Sequence, residues 1–199
     1  MSASPPIVVG ITGASGAPYA VRLLQQLTAA HRSVSLIVSK YGMRLLETEM
    51  GIETMDALRA AVGKGGWDSC VQTYGNDDRG APPASGSSLT AGMIVCPCSM
   101  GTLSAISIGA SRSLIERAAD VTLKERRKLI LVPRETPLSA IHLGNMLRLT
   151  RAGAIVMPAA PGFYHRPTQI SELVDFMVAR MLDQLGVEQT LVKRWEGEA

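Results

Sequence analysis

The segment IVVGITGASGA at residues 7–17 joins an apolar run to a glycine-rich turn, and this junction decides the fold. An uninterrupted apolar run closed by Thr12 and Gly13 is typical of a parallel strand that is buried on both faces. From residue 18 to residue 29 the apolar side chains recur three and four positions apart, which predicts an amphipathic helix. A buried strand, a tight turn and a packed helix together form the first unit of an α/β fold.

The same alternation of strands and helices continues along the chain. Further strands are predicted at residues 34–38, 70–74, 93–96, 129–132 and 154–157. Further helices are predicted at residues 41–50, 55–62, 101–108, 114–123, 138–150 and 170–185, with residues 63–66 interrupting them. This order predicts one three-layer, Rossmann-like α/β domain with a mostly parallel sheet, a core at about residues 6–186 and a tail at residues 187–199. The irregular stretch at residues 75–92 is long for a connection inside a domain, so we expect a functional loop there.

Composition excludes several classes of function. The 199 residues are 46% hydrophobic and 19% charged, and their formal net charge is only +3. A charge this small and dispersed does not indicate a nucleic-acid partner. No run reaches the roughly 20 apolar residues that span a membrane, and the start lacks the features of a secretory signal. Together with only three cysteines, this predicts a soluble protein of the reducing cytoplasm without a membrane partner.

Polar and glycine-rich segments follow the predicted strands at the edge of the sheet where α/β proteins bind ligands. The turn at residues 12–17 opens a helix, so its N–H groups and the Ser15 hydroxyl could hold an anion, although such a turn also forms without a ligand. Ser99 begins a second such helix, and it is equally an ordinary helix cap. Neither turn has the glycine spacing of NAD- or ATP-binding loops. Two hydroxyl-bearing turns at one edge suit a phosphate-bearing cofactor such as FMN.

Several basic side chains can be explained without a ligand. Lys124, Arg126 and Arg127 lie where a helix ends, and positive charge there is favourable in itself. Arg180 falls on the exposed face of a long helix. Arg134 is harder to explain in this way, because it follows a buried strand at the ligand edge. The Cys-Pro-Cys segment at residues 96–98 is interpreted as a pair of buried thiols, since no second ligand pair or histidine has metal-binding spacing.

Seven segments follow one another in an order typical of a single protein family. They are TGASGA (12–17), ASGS (84–87), CPCS (96–99), LIERAADV (114–121), LVPRETP (131–137), IHLGNM (141–146) and PAAPGFY (158–164). Together they resemble the UbiX-type flavin prenyltransferases (the UbiX/PAD family) over residues 7–195. The resemblance implies a flavodoxin-like fold, a dodecamer, and sites formed at subunit contacts. It also implies a metal-independent transfer from dimethylallyl monophosphate to N5 and C6 of reduced FMN, which makes prenylated FMN for UbiD-type decarboxylases.

The resemblance further implies roles for individual residues. The positions implied for FMN binding are Gly13, Ala14, Ser15, Ser39, Ser99, Met100, Gly101, Thr102 and Arg134. Those implied for the prenyl phosphate are Lys124, Arg134, Glu135, Tyr164 and Arg180. The catalytic set is Ser15 and Glu49, which transfer a proton near N5, with Lys124, Arg117 and Trp195, the last from a C-terminal tail that reaches the active site. These roles replace the ligand-free interpretations of Lys124 and Arg180.

Two other functions remain as alternatives. An FMN-dependent cysteine decarboxylase would share the fold, but that family carries Pro-Ala-Ser-Ala-Asn-Thr where residues 97–102 read PCSMGT. A non-catalytic FMN carrier would have no use for a second anion pocket. Asp78 and Arg79 stand where many relatives carry an aromatic or aliphatic residue, so the resemblance does not define this wall of the prenyl pocket. The sequence also does not decide between a monophosphate and a diphosphate substrate.

Overall fold

The computed structural model describes residues 4–193, and its centre is a six-stranded, fully parallel sheet. The strands are β1 (Ile7–Ile11), β2 (Val34–Val38), β3 (Val71–Gly75), β4 (Gly92–Cys98), β5 (Leu129–Pro133) and β6 (Ile155–Val156). The helices are α1 (Ala17–Ala29), α2 (Lys40–Met50), α3 (Met55–Val62), α4 (Lys64–Cys70), α5 (Met100–Ser107), α6 (Leu114–Lys124), α7 (Ala140–Arg151) and α8 (Ile170–Leu185), with a 3-10 turn at Pro82–Ala84.

Two apolar cores lie on opposite faces of the sheet, which confirms the predicted three-layer α/β fold. On one face, Val9 of β1 belongs to the same core as Leu24 of α1 and Val178 of α8. On the other face, the neighbouring Val8 belongs to a core with Ile115 of α6, to which α5 and α7 also contribute. Because successive side chains of a strand point to opposite faces, a strand that is covered on both faces must be apolar throughout.

The order of the strands reverses between β1 and β4. The spatial order is β3-β2-β1-β4-β5-β6, so the chain moves outward from β1 to β3 and then returns to β4 on the other side. The loops that follow β1 and β4 therefore diverge and leave a crevice at the carboxyl ends of these strands. The turn at residues 12–16 and the start of α5 flank this crevice.

Two glycines allow α2 to approach β1 closely beside the crevice. A Cβ atom added at Gly42 would lie 2.4 Å from the backbone oxygen of Ile11. A Cβ atom added at Gly13 would lie 2.5 Å from the Cβ atom of Tyr41. Both distances are far below van der Waals contact, so any larger residue would force α2 away from the end of β1.

Several predicted element boundaries differ from the structure, and three of these differences have a clear cause. The predicted break at residues 63–66 shortens to Gly63, with a φ of 115°, because α4 begins at Lys64 and Trp67 anchors it in the first core. As a result, β3 begins at Val71. The helix predicted from residue 138 begins at Ala140, since Ser139 caps it. The strand predicted at residues 154–157 shortens to two residues, as expected of an edge strand with one neighbour.

Candidate active site

A cleft of about 230 Å³ opens beside the carboxyl ends of β1 and β4. The parallel sheet brings separate segments of the chain to this edge. The residues that line the cleft are Thr12, Gly13, Ser39, Tyr41, Asn76, Ser99, Thr102, Ser113, Ile115 and Glu116. Gly13, Ser39, Ser99 and Thr102 are among the positions that the sequence predicts for FMN. The structure therefore brings the two glycine- and serine-rich turns together, as expected from their places after β1 and β4.

Thr12 joins the two strand ends beside the cleft. Its hydroxyl donates a hydrogen bond to the Pro97 carbonyl at 2.9 Å and accepts one from the Ser99 N–H at 2.8 Å. Its backbone N–H also donates to the Pro97 carbonyl, at 3.2 Å. The Thr12 side chain is buried, so these bonds form away from competing water. Thr12 thus fixes the turn after β1 relative to the start of α5.

Three helices, α2, α5 and α6, begin at the cleft, and each is capped by a serine that lines it. The capping hydrogen bonds run from the N–H of Gly42 to Ser39 (3.0 Å), of Thr102 to Ser99 (3.2 Å) and of Glu116 to Ser113 (3.3 Å). Each cap satisfies one N–H group. In α2 and α5 the two preceding N–H groups make no hydrogen bond within residues 4–193, so these two helix ends keep a positive potential that favours an anionic group such as a phosphate. In α6 the corresponding two N–H groups are taken by Asn76.

The start of α1 differs, because a carboxylate of the protein occupies it. Oε2 of Glu49 accepts hydrogen bonds from the N–H groups of Gly16 and Ala17, at 2.9 and 2.8 Å. The sequence predicts that this turn offers its N–H groups to a ligand anion, and for these two groups the prediction is wrong. The N–H groups of Gly13 and Ser15 make no hydrogen bond within residues 4–193. The fold also brings Glu49 to the turn that contains Ser15, and the resemblance assigns a proton transfer to these two residues.

The start of α6 forms a side of the cleft that the sequence does not predict. Oδ1 of Asn76 accepts a hydrogen bond from the N–H of Ile115 at 3.2 Å, and its backbone oxygen accepts one from Leu114 at 2.7 Å. Glu116 is buried, and its Oε2 accepts a hydrogen bond from the backbone N–H of Arg112 at 2.7 Å. A hydroxyl followed three positions later by a glutamate marks a helix start in the sequence. Nothing in the sequence, however, places Asn76 against that start.

The remaining positions predicted for FMN do not line the cleft of a single chain. Ala14 and Met100 are buried, so their side chains belong to the core and only their backbone atoms could meet a ligand. Ser15 is half-buried, and Gly101 is exposed in the first turn of α5. Residues 134–135, the Arg-Glu pair, follow β5 and expose both side chains.

Arg117 and Lys124 lie along α6, which runs from the cleft towards the amino end of β5. Nε of Arg117 donates to the Ala84 carbonyl at 3.2 Å, and its Nη1 donates to Asp120 at 2.6 Å. Lys124 forms an ion pair with Glu125, and its hydrogen bond and charge hold the pKa of the Glu125 carboxyl below its ordinary value. Neither basic side chain lines the cleft of its own chain.

Tyr164 and Arg180 are carried by α8 and the loop before it. Tyr164 is 74% exposed, and its ring packs edge-on against Phe176 with 5.6 Å between the ring centroids. Arg180 is exposed and donates a hydrogen bond to Asp183 at 3.1 Å. Because α8 and α6 pack on opposite faces of the sheet, a single chain does not assemble the set predicted to hold the prenyl phosphate.

Two further predicted features lie near the limits of what the structure describes. Trp195 is outside the described residues, and the tail predicted at residues 187–199 is described only as far as residue 193. Its first residue, Val187, is buried in the first core. Asp78 and Arg79 are exposed, and Oδ1 of Asp78 accepts a hydrogen bond from the N–H of Gly80 at 3.0 Å, which stabilises a local turn.

The thiols of Cys96 and Cys98 are fully buried. Burial raises the pKa of the Cys98 thiol to about 12, and burial together with the nearby Cys98 raises the pKa of Cys96 as well. Both thiols therefore stay protonated at neutral pH and are poor nucleophiles, in agreement with the sequence-based interpretation.

Within residues 4–193, no group of three or more His, Cys, Asp or Glu side chains is arranged to hold a metal ion. No helix in the same range has the length and apolar character to cross a bilayer.

Comparisons with known proteins connect this geometry to a family. The profile of the Flavoprotein family matches residues 1–187. The protein named flavin prenyltransferase UbiX in Pseudomonas aeruginosa is 48% identical over 206 residues, which span 98% of this chain and 96% of that protein. This chain belongs to the UbiX flavin prenyltransferase family.

Solved structures of UbiX proteins share the fold. AnUbiX (PadA1), in complex with FMN and dimethylallyl pyrophosphate, has a TM-score of 0.90 and 41% identity, and the match covers 98% of this chain and 100% of AnUbiX. A dodecameric FMN-dependent UbiX-like decarboxylase from Escherichia coli O157:H7 has a TM-score of 0.88 and 43% identity, over 96% of this chain and 100% of that one. A PPC decarboxylase is only 18% identical, with a TM-score of 0.59, and shares the fold alone. The comparisons thus confirm the predicted family and do not favour the cysteine decarboxylase.

Proposed function

We propose that this protein is a flavin prenyltransferase that transfers a dimethylallyl group from dimethylallyl monophosphate to N5 and C6 of reduced FMN. The observation that carries the proposal is the full-length match to AnUbiX, whose structure contains FMN and dimethylallyl pyrophosphate. The product, prenylated FMN, would serve a UbiD-type decarboxylase. The three cysteines are free thiols, which suits a reaction in the cytoplasm.

The cleft suits the polar part of FMN. The hydroxyl groups of Ser39, Ser99 and Thr102 can bind the ribityl chain and the phosphate, and the N-termini of α2 and α5 favour the phosphate charge. Gly13 carries no side chain beside Tyr41, so backbone N–H groups of the turn remain accessible. When bound, reduced FMN supplies the nucleophilic N5 and C6 atoms. Arg134, which extends from the end of β5, would contact the flavin at the outer part of the site.

Glu49 and Ser15 are the groups suited to proton transfer. The two hydrogen bonds to Oε2 of Glu49 hold its carboxyl group in one orientation, while Oε1 makes no hydrogen bond within residues 4–193. Oε1 is therefore available to accept a proton, directly or through the neighbouring Ser15 hydroxyl. General acid–base catalysis of this kind contributes roughly 10²- to 10⁴-fold to a rate.

The cationic side chains are suited to the prenyl phosphate. Transfer breaks the bond between C1 of the prenyl group and the phosphate oxygen, and the electron pair leaves with the phosphate. Lys124, Arg134 and Arg180 would stabilise the negative charge that develops there, while Tyr164 donates a hydrogen bond. Glu135 would complete this pocket. Arg117 and Trp195 would line the site around the transferred group.

A single chain keeps this set apart. Lys124 lies at the far end of α6 from its own cleft, and Arg180 lies on the opposite face of the sheet. The UbiX-like protein from Escherichia coli is described as dodecameric, which supports a comparable assembly here. We propose that neighbouring subunits bring Lys124 and Arg180 to the cleft, which would make the oligomer a requirement for catalysis.

The test is anaerobic incubation of the protein with FMN, dithionite and dimethylallyl monophosphate, followed by mass spectrometry of the released flavin. We expect a flavin that is heavier by one five-carbon prenyl unit. A parallel reaction with the diphosphate determines which phosphate ester is used. Unmodified FMN in both reactions, despite FMN binding, would refute the transferase and favour the carrier or the cysteine decarboxylase.

A further inference from the structure

Arg127 reaches back from the end of α6 and holds the loop at residues 84–90, here called the serine loop. Its Nη2 donates to the carbonyl of Gly86 at 2.7 Å, and its Nη1 donates to the carbonyl of Ser88 at 2.7 Å and to the Thr90 hydroxyl at 3.3 Å. Within the loop, the hydroxyls of Ser85 and Ser87 are 2.9 Å apart. A planar guanidinium suits this pattern, because its N–H groups diverge at fixed angles towards separate acceptors.

The serine loop lies directly against the ion pair of Lys124 and Glu125. A Cβ atom added at Gly86 would lie 2.7 Å from Nζ of Lys124 and 2.3 Å from Oε1 of Glu125. The position therefore has no room for a side chain while the ion pair keeps this place. The charge of Arg127 also contributes to the lowered pKa of the Glu125 carboxyl, so the three charged groups form one cluster.

We infer that Arg127 is a positioning residue for Lys124 and that it acts through Gly86 and the serine loop. The inference rests on the proposed role of Lys124 in binding the prenyl phosphate. Arg127 is half-buried, and its hydrogen-bond acceptors are two backbone carbonyls and a hydroxyl rather than an acidic side chain. Its hydrogen bonds keep the loop against α6, and the loop in turn limits where the flexible Lys124 side chain can place its ammonium group.

Binding of the prenyl phosphate and binding of FMN should respond differently to the loss of Arg127. The cleft lies at the start of α6, whereas the cluster lies at its end, about 12 Å further along the helix axis from Glu116 to Lys124. Releasing the serine loop should therefore weaken binding of the prenyl phosphate and leave FMN binding to the cleft unchanged. A loss of overall stability would instead weaken both.

The decisive experiment compares Arg127→Gln with Arg126→Gln in the assembled protein. Arg126 carries the same charge, but its side chain is exposed and makes no hydrogen bond within residues 4–193. We expect Arg127→Gln to raise KM for dimethylallyl monophosphate about tenfold, with the FMN dissociation constant within about twofold of wild type. Arg126→Gln should match wild type in both. Arg127→Lys should recover part of the loss, because an ammonium can reach one of the carbonyls.

Two further measurements keep the inference testable if Arg127→Gln assembles poorly. Gly86→Ala keeps every charge and should displace the ion pair, so it should also raise KM for the prenyl phosphate while FMN binding is retained. Hydrogen exchange of residues 84–90 should increase in Arg127→Gln but not in Arg126→Gln.

Different results would contradict the role of Arg127 and the proposed prenyl transfer. Unchanged KM and unchanged hydrogen exchange in Arg127→Gln, or equal losses of FMN and prenyl phosphate binding, would overturn the role of Arg127. A wild-type protein that transfers no prenyl group would refute the proposed function itself.

Discussion

At the scale of single residues, Glu49 has a structural role in the fold and a catalytic role in the proposed reaction. Its Oε2 accepts the two N–H groups that open α1, and this arrangement keeps the turn at Ser15 in place. The same geometry leaves Oε1 without a hydrogen bond from residues 4–193. A residue in this position can be tested by removing its charge while keeping its shape.

We predict that Glu49→Gln lowers kcat by roughly 10²-fold or more while the FMN dissociation constant stays within about threefold. The glutamine carbonyl can still accept from Gly16 and Ala17, so the melting temperature should change little. Glu49→Ala, the matched control, removes the acceptor and should cost about 1 kcal/mol of stability as well. Steady-state kinetics, flavin titration and thermal unfolding measure these effects. Equal losses of turnover and FMN binding in Glu49→Gln would contradict a catalytic role.

Gly13 provides a second prediction at this scale. Gly13→Ala would place a methyl group 2.5 Å from the Cβ atom of Tyr41, and separating them should cost about 1–3 kcal/mol and weaken FMN binding. Gly144→Ala is the control, since an added Cβ there meets nothing within 4 Å, and α7 should gain about 0.5–1 kcal/mol. Thermal unfolding with and without FMN would show the contrast. A Gly13→Ala protein with wild-type stability would mean that α2 shifts freely.

At the scale of secondary-structure elements, α6 links the two halves of the proposed chemistry. Its first turn, capped by Ser113, supplies Glu116 to the cleft, and its last turn carries Lys124. One helix thus fixes the distance between the proposed flavin-binding surface and the proposed phosphate-binding group. Because the two lie at opposite ends of the helix, the proposed mechanism requires that they serve different sites in an assembly.

Glu172 at the start of α8 should make the thermal stability of the protein depend on pH. Oε2 of Glu172 accepts hydrogen bonds from the N–H groups of Thr168 (2.5 Å) and Gln169 (2.9 Å), and these lower the pKa of the Glu172 carboxyl from its ordinary 4.5. A lowered pKa in the folded state contributes stability above the ordinary pKa, and this contribution is lost as the pH falls through the folded value. Wild type should therefore melt above Glu172→Gln at neutral pH, and the difference should shrink below about pH 4.5.

Glu53→Gln is the control for this prediction, because Glu53 is exposed and its side chain makes no hydrogen bond within residues 4–193. The melting temperatures of the three proteins would be recorded between neutral and acidic pH. A difference between wild type and Glu172→Gln that stays constant with pH would show that the charge of Glu172 does not stabilise α8.

At the scale of the whole molecule, the sheet separates the groups to which the proposed reaction assigns a role. The cleft, Lys124 and Arg180 occupy an edge, the far end of a helix and the opposite face of one chain. If neighbouring subunits complete each site, two inactive variants should restore activity when they assemble together. Glu49→Gln and Lys124→Ala are suitable partners, since the first changes the cleft and the second changes the distant group.

We predict that coexpression of Glu49→Gln and Lys124→Ala chains in equal amounts recovers about a quarter of wild-type activity, because about a quarter of mixed sites receive both intact residues from different chains. Glu49→Gln coexpressed with Ser15→Ala is the control, since Glu49 bonds the turn that contains Ser15 in its own chain, so every such pair carries one of the two changes and no intact site can form. Prenylated flavin is measured by mass spectrometry. No recovery in the first pair would place Lys124 and Glu49 of one site on the same chain.

Local patterns in the sequence were sufficient for the strands, the main helices and part of the cleft. The apolar run at residues 7–11 and its repeats predict a parallel sheet, because a strand that is buried on both faces must be apolar on both. The rule that ligands bind beyond the carboxyl ends of such strands then selects Gly13, Ser39, Ser99 and Thr102. These residues line the cleft. The sequence motifs also identified the family, which the comparisons confirm.

Only the tertiary structure decided which distant residues meet. Asn76 contacts the start of α6, and Glu49 takes the N–H groups that the sequence assigned to a ligand, because these contacts depend on how helices pack on the sheet. Trp67 restores a helix where glycines predict a break, since its burial outweighs their low helix propensity. Residue periodicity reports the local conformation and the buried face of each element. It carries no information on the distance between Lys124 and the cleft, which is set by the length of α6 and the layers of the fold.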